Sequence, residues 1–275
     1  MRHKLHLDIC DIPICLDIDD SSVFRHARGR YSVYLTKKPQ RIYIEVETRK
    51  SNIIPPSQQE PKVTVSDNGN AIHIHRYDIS AGIDVRKKKG WLIVNRGAAS
   101  IDSFLRILYS ILLLRKKAFL IHSAGLRISN SAFLFPGQSG AGKTTLYKKA
   151  GRRFILSDEL NMVMANGAGF YAKATPFMGE FRKGVSNEGG NMRGIFFLSK
   201  GAPNYYRPIA KDDALTRMLS TVMFFSDQLE MNRKLLTIVS RFVNNLPTFE
   251  LQYDKDTTRF ADIRDMISGA LDREN

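Results

Sequence analysis

Long apolar runs are missing from this chain of 275 residues. The longest, 107–114, is broken by Ser110 and is far too short to cross a bilayer. The opening residues include Arg2, His3, Lys4 and His6 and hold no continuous apolar core, so no secretory leader is expected. Cysteine is nearly absent. Cys10 and Cys15 are the only two, and neither has a zinc or redox spacing, which excludes a disulfide framework and points to a reduced, cytoplasmic setting. Neither an internal repeat nor a long low-complexity segment is present. Acidic residues are in deficit, 27 against 42 basic ones, and the resulting charge of +15 favours an anionic partner. The basic clusters at 86–89, 115–117, 148–149 and 152–153 are not interleaved with aromatic residues. They read as solvated turns and helix ends, which disfavours nucleic acid as the partner.

What is present is a glycine-rich stretch from Phe133 to Thr145. Its apolar start, 132–135, predicts a buried strand, and the good helix formers of 145–150 predict a helix. Between them Gly137, Gln138, Ser139, Gly140, Ala141, Gly142, Lys143 and Thr144 fit the G-x-x-x-x-G-K-[ST] pattern of a P-loop (Walker A), with Thr145 next. Glycines there let backbone N–H groups close around phosphate oxygens that a side chain would push away. Chance would produce such a pattern in a chain of this length roughly once in a hundred times. On this reading Lys143 neutralises the β and γ phosphates of ATP, and the Thr144 hydroxyl completes the coordination of Mg2+.

Before the motif, residues 1–99 read as a β-rich N-terminal region. Strands are expected at 5–9, 31–35, 41–47, 62–65, 71–75, 82–85 and 91–95, and the proline-rich stretch 55–61 as an exposed loop. His73 and His75 share one strand face but have no third ligand nearby, and they read as plain strand residues. No acid, base or metal-ligand cluster precedes Ser100, so this region is assigned recognition or assembly, homo-oligomer formation included.

A helix is expected over 100–117, with Ser100 and Asp102 as its N-terminal caps, and residues 100–275 form the second region. A short strand at 118–121 leads to His122. After the motif, 153–159 reads as an apolar strand ending in the carboxylates Asp158 and Glu159, as in a Walker B element. A hairpin is expected at 161–172, a mobile loop at 183–191, and a strand at 192–198. Helices at 211–225, 228–244 and 258–271 and a strand at 248–253 complete the pattern.

Three elements thus follow one another: His122, the loop Gly137 to Thr144, and Ser157-Asp158-Glu159. In that order they resemble the catalytic domain of HPr kinase/phosphorylase, a bacterial P-loop protein-serine kinase family with a His-Gly motif, a G-x-S-G-x-G-K-[ST] loop and an Ala-Asp-Asp element. Residues 175–180, 192–198 and 247–251 look like the broader group of HPr-kinase-related proteins. The resemblance covers residues 117–275. Glu159 stands where the family has its second Asp, and Ser123 where it has glycine.

The resemblance implies a mixed α/β fold with a P-loop kinase core of the HPr kinase and phosphoenolpyruvate carboxykinase type. It also implies ATP with magnesium, and phosphoryl transfer to a serine or threonine hydroxyl of a protein or peptide. Asp158, Glu159, His122 and Lys143 are the catalytic candidates, and Thr144, Glu159 and Asp158 the metal candidates. Phosphoryl transfer needs positioning, charge neutralisation and a carboxylate for the acceptor proton, and Asp158 and Glu159 can divide those tasks. His122 either hydrogen-bonds a carboxylate or phosphate or is a structural histidine. Two other readings stay open: an ATP-binding regulator that transfers nothing, and a kinase acting on a small alcohol.

Overall fold

The computed structural model describes residues 1–49, 62–95, 97–137, 140–177, 179, 187–226 and 228–272. The proline-rich loop expected at 55–61 lies outside them, as do Gln138 and Ser139 of the motif and residues 183–186 of the expected mobile loop. The fold is mixed α/β, with two mixed sheets and, among the described residues, six α-helices. The chain divides into two compact units, Met1–Leu112 with Phe224–Arg233, and Leu113–Met223 with Lys234–Asn275. Among the described residues no helix is long and apolar enough to cross a membrane.

In the first unit, β1 (His3–Ile9) and β2 (Ile12–Ile18) form a hairpin whose turn residues Cys10 and Asp11 have φ of 53° and 59°. Helix α1 (Ser21–Arg30) follows, and then β3 (Ile42–Thr48), β4 (Thr64–Asp67), β5 (Ala71–Arg76), β6 (Ile79–Asp84) and β7 (Lys89–Val94). The seven strands lie in the order β1-β2-β3-β7-β6-β5-β4. β3 runs parallel to both β2 and β7, and the other pairs are antiparallel. Alternating residues such as Ile42, Ile44 and Val46 bury one face of the sheet.

Helix α2 (Ala98–Leu114) buries Ile101, Phe104, Leu105 and Leu108 completely, and its Tyr109 hydroxyl donates to the Ile12 carbonyl at 2.7 Å. Its expected caps serve other ends. Ser100 Oγ donates to Asp78 Oδ2 at 2.6 Å, and Asp102 accepts from Arg30, Tyr31 and Arg106 at 2.8–2.9 Å. The strand expected at 31–35 is a single turn of 3-10 helix, Ser32–Tyr34, leading to one bridge between Leu35 and Leu7. The buried Tyr31 and Tyr34 rings hold it there.

The second unit contains β8 (Ala118–Ile128), β9 (Ser131–Pro136), α3 (Lys143–Ala150), β10 (Leu160–Asn166), β11 (Gly169–Ala174), β12 (Gly189–Lys200) and β13 (Tyr205–Pro208). After these come α4 (Lys211–Leu219), β14 (Val222–Met223), α5 (Leu229–Asn244), β15 (Thr248–Tyr253) and α6 (Phe260–Asp272). The strand order is β11-β10-β8-β9-β12-β15-β13, with β14 on β8. β12 also pairs with β11, so five strands close a ring of pairings.

β9, β12 and β15 are mutually parallel, which brings the C-terminal ends of all three to one edge. Phe135, Phe196 and Phe249 stack between them, with ring centroids 5.6 and 5.3 Å apart. Leu146, Tyr147 and Ala150 of α3 and Ile263, Ile267 and Ala270 of α6 complete that core. α4 stops at Leu219, short of the expected 225, because Val222 and Met223 pair with Ile121 and Leu120 instead. The expected loop ends early as well, since residues 189–191 already belong to β12.

Candidate functional site

The site grows from the junction of β8 and β9. Their register sets Ser123 opposite Pro136, and just beyond it the Gly137 N–H donates to the His122 carbonyl at 3.4 Å. Two positions in the following loop require glycine. Gly140 and Gly142 have φ of 84° and 98°, the left-handed region where a Cβ is strained. A Cβ on Gly137 would lie 2.7 Å from that of Ala141, so the loop closes on itself only without one. Gly142 is the N-cap of α3 and offers no side-chain cap, which leaves the first N–H groups of the helix facing the loop.

Lys143 is only 8% exposed, and its ammonium donates back to the Gly137 carbonyl. Burial pushes that ammonium below its ordinary value, and the nearby Glu159 charge pulls it up again. Thr144 is exposed and Thr145 half-buried.

The carboxylates arrive by an irregular route. Residues 153–159 do not form the expected strand: Arg152–Phe154 is a 3-10 turn, and Ile155 makes a lone bridge with Leu126. From there the chain runs antiparallel along β8 in a distorted ladder, with Leu156 N–H on Gly125 O (2.8 Å), Gly125 N–H on Ser157 O (2.9 Å) and Ser123 N–H on Glu159 O (3.0 Å). Asp158 and Glu159 therefore precede a strand, β10, and do not end one.

A single buried side chain makes that distortion possible. Asn161 Nδ2 donates to Ser123 O at 2.8 Å, Ser123 Oγ at 3.0 Å and Ser157 O at 3.3 Å. It occupies the space over Gly125, where a Cβ would come within 2.3 Å of Asn161 Oδ1. Thr175 Oγ1 anchors the far side by donating to Leu160 O at 2.6 Å.

Asp158 and Glu159 are half-buried, and the Gly179 N–H donates to Asp158 Oδ1 at 3.1 Å. A Cβ on Gly179 would lie 3.3 Å from Asp158 Oδ2 and 3.5 Å from Glu159 Cβ, so that backbone lies against both residues. On α3, burial pushes the Tyr147 phenol far above its ordinary value, and the Asp158 charge adds to the effect.

Lys143, Asp158, Glu159 and Gly137 are thus gathered around one loop. His122 joins it by its backbone, its carbonyl holding Gly137 and its N–H donating to Thr221 O at 2.8 Å, while its side chain is half-buried. Among the described residues no group of three His, Cys, Asp or Glu side chains could by itself hold a metal ion. Magnesium asks for less, since it takes one or two carboxylates and completes its shell with phosphate oxygens and waters. Asp158 and Glu159 are two carboxylates of that kind, and Thr144 carries a hydroxyl on the first turn of α3.

Asn161, Gly125, Gly179 and Tyr147 were not singled out in the sequence. One signal was available for Asn161, a lone amide in the apolar run Leu160 to Val163.

The sequence matches no protein-family profile and no curated protein. Among solved structures it is similar to the HPr(Ser) kinase/phosphatase of Coxiella burnetii, at 14% identity over 46% of this chain and 88% of that one, with a TM-score of 0.25. At that score the likeness decides neither fold nor activity.

Proposed function

We propose that the second unit is a P-loop kinase domain that binds ATP with magnesium and transfers the γ-phosphate to a serine or threonine hydroxyl of a protein or peptide. The observation that carries this reading is the meeting of Lys143 with the Asp158–Glu159 pair at one glycine-built loop. The loop residues Gly137 to Thr145 bind the phosphates through backbone N–H groups. Lys143, a cation desolvated by burial, gains a counter-charge from them. Asp158, held by the Gly179 N–H, receives the acceptor's hydroxyl proton. Glu159, Asp158 and Thr144 are the groups that hold the metal. Magnesium, when bound, neutralises charge on the transferring phosphate. His122 positions Gly137 through its carbonyl. The first unit contributes recognition of the acceptor or assembly.

Labelled ATP, magnesium and candidate serine-bearing peptides test the reading in single-turnover measurements. Asp158→Asn keeps the shape of the side chain and removes its charge. ATP binding should persist, while transfer should fall by about a hundredfold or more. Transfer at the parent rate in Asp158→Asn removes the base assignment. Binding without transfer by the parent protein leaves a nucleotide-dependent regulator.

A further inference from the structure

The three parallel strands create a second feature beside the phosphate loop. In the register of β12 and β15, Lys200 lies opposite Tyr253, so the two strands end level with each other. Past those ends opens a cavity of about 350 Å3, one wall of which is Ala141, Gly142 and Thr145. It is continuous with the loop, and its size is at the small end of the roughly 300–1,000 Å3 typical of ligand cavities. Cavities at the carboxyl ends of parallel strands are where α/β sheets take ligands.

Resting on the nucleotide reading above, we propose that this cavity receives the base and ribose of the nucleoside triphosphate, and that the acceptor approaches from the opposite side of β9. Leu198 and Tyr253 give it apolar surface for a flat ring. Its rim carries Asp254 and Asp256 against Lys200 and Lys255, so these charges cancel and the cavity draws no phosphate of its own.

The rim is also tied down. Asp254 Oδ1 accepts the N–H groups of Asp256 and Thr257 at 2.7 and 2.9 Å, which turns the chain back after β15. Gln252 Nε2 donates to the Pro203 carbonyl at 3.0 Å, fastening the loop after β12 to β15. A preformed wall loses little freedom on binding.

Strand order decides the direction. β8 and β12 flank β9 on opposite sides, with Asp158 and Glu159 beside β8 and the cavity beyond β12. A nucleotide with its base in the cavity and its phosphates on the loop therefore points its terminal phosphate toward the carboxylates. The displacement asks for attacking and leaving oxygens roughly in line, and an acceptor coming from the β8 side would approach opposite the leaving diphosphate.

Photolabelling with 8-azido-ATP and magnesium, followed by peptide mapping, tests the placement. ATP-protected label is expected in 198–202 or 253–257. Label confined to 118–128, 157–166 or another segment overturns the placement. A complete lack of ATP-protected label, with Lys143→Ala indistinguishable from the parent protein, overturns the nucleotide reading along with it.

Ser199→Trp, which fills the cavity, gives a second test by calorimetry against ATP and inorganic tripolyphosphate. The ratio of their affinities should fall about tenfold or more through loss of ATP binding alone, with tripolyphosphate binding retained as the sign of an intact fold. An unchanged or raised ratio overturns the base placement. Loss of both ligands in Lys143→Ala would leave the phosphate loop standing in that case.

Discussion

Asn161 and Gly125 are a pair in which neither residue makes sense alone. The amide bridges the Ser123 carbonyl and hydroxyl to the Ser157 carbonyl, and it fits only because residue 125 lacks a Cβ. Gly125→Ala should therefore destabilise the protein, and adding Asn161→Ala should recover part of the loss by removing the atom it strikes. Urea unfolding of both single variants and the double variant should give a coupling of about 1 kcal/mol or more, and simple additivity would contradict the clash. Asp102 in the first unit is a second test at this scale. Burial works against its charge, but Arg106 and Arg30 more than compensate and hold its carboxyl below the ordinary carboxylate range. A depressed folded-state pKa contributes stability that is complete above the unfolded value, near about 3.9, and is lost as pH falls through the folded value. Asp102→Asn should cost about 3–5 kcal/mol at neutral pH. The gap from the parent should narrow below about pH 4, where the parent carboxylate also loses its charge. A gap independent of pH would mean that packing, and not the ion pairs, is the source.

At the scale of elements, strong periodicity was legible and local irregularity was not. α2, the hairpin of β10 and β11, and β15 stand close to where pattern placed them, because each repeats its apolar positions over enough residues to exclude other readings. β2 was missed: Pro13 breaks the donor pattern and Asp17 interrupts the apolar run, yet all seven of its residues are buried. The carboxylate segment 153–159 read as a strand because its apolar residues suggest one. A side chain outside the segment, Asn161, decides its real path, and no window on the segment alone reports that. The loop itself was legible from glycine chemistry, whereas the cavity beyond β12 and β15 depends on a pairing between strands about fifty residues apart. α1 was missed although its signal was present. Asp20 accepts the N–H groups of Ser22 and Val23 at 2.8 and 2.9 Å, but the helix buries only Ala27 and so shows little apolar stripe. With so little burial behind it, α1 depends on its cap. Asp20→Ala should cost about 1 kcal/mol and raise hydrogen exchange through 21–30, and unchanged exchange there would show that something else holds the helix.

For the whole molecule, the consequence lies in where the chain can be cut. The first unit keeps α2 as far as Leu112, with Ile101, Phe104, Leu105 and Leu108 completely buried and Tyr109 bonded to β2. A fragment beginning at Ser100 would carry that apolar face without β1 and β2, and such a patch favours aggregation. One beginning at Leu113 leaves the α2 face behind and, although it carries Phe224–Arg233 of the first unit, retains every strand of the eight-stranded sheet, together with α3, the carboxylates and the cavity. Residues 113–275 should therefore express as the more soluble of the two and bind ATP with magnesium in calorimetry. If recognition is the one of the two roles proposed for the first unit that it fills, transfer to a protein acceptor should be weakened relative to the full chain, whereas slow hydrolysis of ATP by the fragment should match that of the full chain. A fragment that is folded by circular dichroism and cooperative melting, yet binds no nucleotide, would place part of the nucleotide site in the first unit. Transfer to the protein acceptor at the full-chain rate would remove recognition from the first unit and leave assembly as its role.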